Sequence, residues 1–108
     1  MSHVTTHILD ASLGRPANDV DVVLSDAAGN EIVKARTDAD GRVKDLGPDR
    51  LEEGHYRLRF EVADYFARTS TASFYPVVTI DFTIADTEQH YHVPLLISPF
   101  AYSTYRGS

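Results

Sequence analysis

Apolar and polar residues alternate along much of this chain with a period of two. In HYRLRFEV at 55–62, Tyr56, Leu58, Phe60 and Val62 fall on one side, and His55, Arg57, Arg59 and Glu61 on the other. That is the pattern of a half-buried β-strand. VVTIDFTI at 77–84 repeats it with Val78, Ile80, Phe82 and Ile84 inward. Val20, Val22 and Leu24 do the same after a turn signalled by Gly14, Pro16 and Asn18. Ala27-Ala28-Gly29-Asn30 predicts a hairpin turn with 31–37 as the returning strand, and Asp40-Gly41 predicts the next turn. Strand signals cover 4–10, 19–26, 31–38, 42–46, 54–62, 77–85, 89–97 and 101–106. Only 63–69, ADYFART, suits a helix, of two turns at most. Without strand–helix alternation, this pattern predicts an all-β fold, an antiparallel β-sandwich of about eight strands with one short helix.

Composition narrows the classes of function. With 108 residues, 43% hydrophobic and 24% charged, residues 1–108 read as a single globular domain with a modest core. Ten basic against 16 acidic residues give a net charge of −6, spread along the chain. That balance argues against nonspecific binding to nucleic acid or to an anionic membrane. The absence of cysteine excludes disulfides, thiolate metal sites and cysteine nucleophiles. No apolar run approaches the roughly 18–20 residues of a membrane span. The opening MSHVTTHILD does not read as a signal peptide, so a cytoplasmic protein is the default expectation.

Chemistry is concentrated in the five histidines. His3 reads as part of a frayed end, and His55 as an exposed residue at a strand start. In VTTHILD, His7 shares a face with Thr5 and Leu9, opposite Val4, Thr6 and Ile8. His90 and His92 share a face by the same alternation. Two imidazoles on one strand suit a transition-metal site or proton transfer, but no further ligands stand at diagnostic spacing. Pro94, lacking an N–H, predicts an edge or an irregular point in the sheet. Arg42 follows the Asp-Gly turn and is either a solvated side chain or a forked donor for an anion. Ser12, Ser25, Ser70 and Ser98 lie in no Gly-x-Ser-x-Gly elbow, and no phosphate-binding glycine loop occurs.

Three segments together carry a more specific signal: THILDASLGRPA near the start, TDADGRV in the middle, and HYHVPLLISPFAYSTYRGS at 90–108. In order and spacing they resemble the transthyretin-like 5-hydroxyisourate hydrolases of purine breakdown, over about Val4 to Ser108. The Tyr-Arg-Gly-Ser run is the most specific part, because hormone-carrying transthyretins differ there. The resemblance implies a transthyretin-like β-sandwich assembled as a homotetramer, a dimer of dimers, with active sites where dimers meet. It implies His7, Arg42 and His92 as catalytic residues. It also implies that Tyr105, Arg106, Gly107 and Ser108 bind substrate in the same pocket, at the point where the sequence stops. His90 fits the family's spelling and is expected to be a supporting or structural residue.

The implied substrate is 5-hydroxyisourate, the implied reaction hydrolysis of its cyclic amide to 2-oxo-4-hydroxy-4-carboxy-5-ureidoimidazoline. The expected cofactor is none, metal or organic, and no nucleic acid or membrane partner is expected. The alternatives are a transthyretin-type carrier, which binds a small aromatic hormone without turnover, and a structural or adhesive β-sandwich module. His7, Arg42, His92 and the Tyr105–Ser108 run favour the hydrolase over both.

Overall fold

The computed structural model describes residues 2–108. Eight strands and one helix follow in the order β1 (Val4–Asp10), β2 (Arg15–Pro16), β3 (Asp21–Asp26), β4 (Glu31–Arg36), β5 (Gly54–Phe60), α1 (Val62–Arg68), β6 (Val78–Ile84), β7 (Tyr91–Ser98) and β8 (Ala101–Thr104). They form two four-stranded sheets, β2-β1-β7-β8 and β4-β3-β5-β6. The inward residues of both sheets meet in one core. Ile8, Leu95 and Ile97 from the first sheet pack against the layer that carries Leu24, Leu58 and Phe60, all 0–1% exposed. Alternation drives this packing, since burying one Leu- or Phe-sized side chain yields about 1.5–3 kcal/mol. No helix among the described residues is long and apolar enough to cross a membrane.

The sandwich matches the expected class, and several details correct the strand assignments. The pairing of β1 with β7 is parallel, whereas every other pair is antiparallel. The stretch 42–46 is not a strand. Val43 and Leu46 are buried three residues apart, as apolar plugs in an irregular crossing, and only Arg42 makes a β-bridge. The two-residue strand β2 contains Pro16 and is too short to give a periodic signal. Val62 opens α1 instead of ending β5, although it stays buried. The helix is tied to β1 by the Tyr65 hydroxyl, which donates to Asp10 Oδ2 at 2.7 Å. Burial and this carboxylate push the Tyr65 phenol up to about 12.

Pro94 lies in β7, an interior strand between β1 and β8, and not at an edge. The sheet tolerates it because the missing donor falls where β8 has ended. Pairs Ser98–Ala101 and Leu96–Ser103 share a register with the later bridge His92–Gly107, and the rung omitted between them is Pro94–Tyr105. The Pro94 carbonyl instead accepts a hydrogen bond from Thr104 Oγ1 at 2.7 Å.

The outer edge of β1 is covered first by β2 and then by the turn at 38–41. Ile8 N–H donates to the Gly41 carbonyl at 2.8 Å, and Ala17 N–H donates to the Ile8 carbonyl at 3.0 Å. Gly41 has φ +73°, and a Cβ there would fall on the Ile8 carbonyl oxygen. Both the left-handed backbone and the close approach require glycine. Gly41→Ala is therefore expected to destabilise the fold by at least about 1–3 kcal/mol, the cost of such strain alone. Urea denaturation checks this, and an unchanged midpoint would mean the turn is not held against β1.

Candidate active site

The outward face of the first sheet carries His7 and His92. Burial alternates strictly along β1, so Val4, Thr6, Ile8 and Asp10 point inward while Thr5, His7 and Leu9 are half-buried on the outside. In β7 the half-buried positions are His92, Leu96 and Ser98. Parallel register sets Thr5 beside His92 and His7 beside Pro94. His7 and His92 are thus diagonal neighbours on one face.

Arg42 is delivered to the same place by the turn that covers β1. It forms an antiparallel bridge with His7. Asp38 organises the turn: its Oδ1 accepts from the N–H groups of Asp40 at 2.9 Å and Arg42 at 3.1 Å. Its own N–H donates to the Arg42 carbonyl at 2.7 Å. These backbone bonds, the Arg42 N–H foremost, hold the Asp38 carboxyl below its usual range. The Arg42 side chain is exposed. Among the described residues its guanidinium makes no ion pair with a carboxylate. A free planar fork beside two imidazoles is suited to a ligand oxygen that carries or develops negative charge.

The electrostatics keep both imidazoles neutral. Burial lowers the His7 pKa below 6.5, and the Arg42 charge lowers it further, against smaller opposing effects of Asp40 and Asp38. The His92 pKa is lowered by burial first, then by Arg42, His7 and His90. At neutral pH each ring therefore has a lone pair with which to accept a proton.

The segment 105–108 closes the other side. Gly107 N–H donates to the His92 carbonyl at 2.9 Å. A Cβ at Gly107 would stand 2.5 Å from His92 Cδ2 and 3.1 Å from Pro94 Cγ. Only glycine lets this backbone lie against the ring. Arg106 and Tyr105 line a cavity together with His92. The Arg106 guanidinium covers the Tyr91 ring at 4.4 Å and donates to Gln89 Oε1 and the His90 carbonyl. Tyr105 and Ser108 are exposed. The structure thus brings together His7, Arg42, His92 and Gly107, and carries the Arg106 side chain to the Tyr91 side.

The remaining histidines differ from one another. His3 is buried, contrary to the expectation of a frayed end. Its Nδ1 accepts from Leu51 N–H and its Nε2 bonds the Gln89 carbonyl, both at 2.8 Å, which ties the start of β1 to two loops. His55 is exposed on β5. His90 is exposed and reaches Thr5, whose hydroxyl also meets His92. No signal in the sequence singled out Thr5, because its partners lie 85 and 87 positions away. Among the described residues no group of three or more His, Asp or Glu side chains is placed to hold a metal ion.

The cavity beside His92, about 350 Å³ and lined by residues including Ile80, Phe82, Tyr91 and Val93, does not include His7 or Arg42. Fold and site together define a transthyretin-type β-sandwich with two histidines on an outer sheet face and, beside them, an arginine that has no carboxylate partner among the described residues. A family model described as HIUase/Transthyretin family matches residues 4–107. The 5-hydroxyisourate hydrolase of Caulobacter vibrioides is 46% identical over 115 residues, covering 100% of both chains. The solved 5-hydroxyisourate hydrolase of Klebsiella pneumoniae is 42% identical with a TM-score of 0.90, covering 100% of this chain and 94% of that one. Sea bream transthyretin in complex with thyroxine has the same TM-score, 0.90, at 31% identity, covering 96% and 93%. The chain belongs to the HIUase/Transthyretin family.

Two measurements follow from this geometry. In an NMR titration His7 and His92 should both have midpoints below 6.5, and Arg42→Met should move both upward, because removing a nearby positive charge makes protonation easier. Unmoved midpoints would separate Arg42 from the pair. Gly107→Ala should displace either the His92 ring or the 105–108 backbone, visible as changed His92 resonances in a protein whose thermal midpoint is little altered.

Proposed function

We propose that this chain is a 5-hydroxyisourate hydrolase, opening the cyclic amide of its substrate to give 2-oxo-4-hydroxy-4-carboxy-5-ureidoimidazoline. The observation that carries the reading is the pair of imidazoles that parallel β1–β7 pairing sets on one face, beside an arginine brought there by the 38–42 turn with no carboxylate partner among the described residues. Relatives bearing that name, matched over 97–100% of this chain at 42–46% identity, support it. The carrier alternative has weaker support, since transthyretin stands at 31% identity.

In this mechanism His7 and His92 orient a water molecule and take its proton as its oxygen adds to the ring carbonyl. One of them returns a proton to the departing nitrogen as the C–N bond breaks. Arg42 holds the polar ring system and stabilises the charge that builds on the carbonyl oxygen. The Gly107 backbone and Ser108 form the wall that fixes the substrate, and Arg106 anchors that wall through Tyr91, Gln89 and His90.

The working assembly in this reading is a homotetramer, a dimer of dimers. Two observations support it: within one chain the cavity beside His92 does not include His7 or Arg42, and β6 and β8 leave sheet edges unpaired within the described residues. Sedimentation should give four chain masses, and a monomer active at full rate would remove the need for a second chain at the site.

The decisive assay follows 5-hydroxyisourate, generated in situ from urate by urate oxidase, with and without the protein. The protein should accelerate its loss above spontaneous decay. His92→Asn should lower turnover by about 10²- to 10⁴-fold, the usual loss for a general base or acid, with the thermal midpoint retained. Activity should fall on the acid side as His7 and His92 protonate, with its midpoint below 6.5 because both pKa values are lowered. No acceleration by the folded protein would point to a carrier.

A further inference from the structure

Thr5 stands between two imidazoles. Its Oγ1 lies 2.8 Å from His90 Nε2 and 2.8 Å from His92 Nδ1. A hydroxyl carries one proton, so it can donate to only one ring. Two arrangements of neutral rings use every donor. In one, Thr5 donates to His90 Nε2 and accepts from His92 Nδ1–H, leaving the lone pair on His92 Nε2. In the other, Thr5 donates to His92 Nδ1 and accepts from His90 Nε2–H, so that His92 Nε2 carries the hydrogen. The first form of His92 is a base at Nε2 and the second is an acid there.

We propose that the Thr5 hydroxyl is a proton connector between His92 and His90, which switches His92 Nε2 from base to acid within one turnover and links it to solvent. The proposal rests on the hydrolase reading above and assigns to His92 a division of labour that the reading left open. As water adds to the carbonyl, its O–H bond breaks and the proton joins His92 Nε2. The Nδ1 proton passes to Thr5 Oγ1, and the hydroxyl's own proton passes to His90 Nε2. His92 is again neutral, now with hydrogen on Nε2, and His90 holds the positive charge. As the ring C–N bond breaks, His92 Nε2 gives its proton to the departing nitrogen. In the same step the chain of three runs backward, so that His92 never becomes an anion: His90 Nε2 returns a proton to Thr5, and Thr5 returns one to His92 Nδ1. No proton is gained or lost by the three side chains over the cycle.

The surroundings favour this direction. His92 is faced by His7 from β1 and by Arg42 from the 38–42 turn, while the 105–108 segment brings Gly107, which has no charge, against the ring. A cation on His92 is therefore repelled from the side of the reaction. His90 is exposed, where water screens its charge and can take a proton from its free Nδ1. Thr5 is β-branched on a regular strand, so its side chain has little torsional freedom, and valine would fill the same space without the hydroxyl.

Thr5 and His90 are positioning residues in this scheme, since both act through His92. The test uses Thr5→Val, Thr5→Ser and His90→Gln in the full protein, with two readouts. The first is the ¹H–¹⁵N pattern of ¹⁵N-labelled histidine, which reports which His92 nitrogen carries hydrogen whether or not the protein is an enzyme. Thr5→Val should shift His92 toward the Nε2–H form, and Thr5→Ser should restore the wild-type balance. The second is turnover. Thr5→Val should lower kcat on the order of tenfold to a hundredfold, the usual loss for a ring-orienting partner, with KM little changed and Thr5→Ser restoring the rate. His90→Gln, whose amide bonds Thr5 but does not relay a proton, should also lose kcat, with partial recovery on adding free imidazole to the buffer. Wild-type tautomer balance and kcat in Thr5→Val would overturn the proposal, as would a loss of rate that serine does not restore. If the wild-type protein does not act on 5-hydroxyisourate, the hydrolase reading fails separately, and the tautomer measurement still decides whether Thr5 couples the two rings.

Discussion

The parallel pairing of β1 with β7 is the constraint on which both the fold and the site depend. It joins strands from opposite ends of the chain in a register that sets Thr5 beside His92 and His7 beside Pro94. Parallel neighbours need a long connection, and here that connection contains the whole second sheet and α1. The core is therefore closed by the same contact that brings the histidines together. Because side chains alternate across a strand, a slip of one residue would turn His7 inward and Ile8 outward. The apolar inward set, Val4, Ile8, Leu95 and Ile97, resists such a slip.

Around this pairing the flanking segments act as clamps. The 38–41 turn fixes Arg42 to the outer edge of β1 through Gly41 and Asp38. The 105–108 segment resumes the β8 register past Pro94 and lays Gly107 on the His92 ring. Each clamp carries a glycine at its closest approach, so backbone and not side chain forms the contact. The electrostatic result is cooperative. Burial lowers the basicity of both imidazoles, and the one nearby cation lowers it again. Arg42 serves as a second influence on the histidines while its own fork stays free, because Asp38 spends its carboxylate on backbone N–H groups.

Much of this was legible in sequence because period-two alternation is a local property. The faces of β5 and β6, the outward placement of His7 and the common face of His90 and His92 all follow from it. Pairing is not local. Nothing in VTTHILD states that it lies parallel to YHVPLLIS, and so the Thr5 contacts were invisible. Pro94 misled for the same reason: its missing N–H excludes a ladder bond on one side only, and where β8 ends decides whether that matters. His3 looked like part of a loose end until two backbone groups, Leu51 N–H and the Gln89 carbonyl, were found on its ring. The grouping of His7, Arg42 and His92 came from family resemblance and not from spacing.

A TM-score of 0.90 to both a hydrolase and a thyroxine-bound transthyretin means that the backbone alone does not separate catalysis from carriage. Alternation explains how one framework serves both. Inward positions on β1 and β7 determine whether the sandwich forms, and outward positions on the same strands are free to vary without touching the core. The two imidazoles and the arginine here occupy outward positions and a turn, and the inward set of β1 and β7 is apolar except for Thr6 and Asp10. Thr5, His7 and His92 are all half-buried outward positions, so none of them belongs to the buried set that closes the core. The inward residues supply the rigidity and register, and the outward ones carry the imidazoles and the hydroxyl between them. Neither set substitutes for the other, because each lies on the face that the strand's own geometry assigns to it.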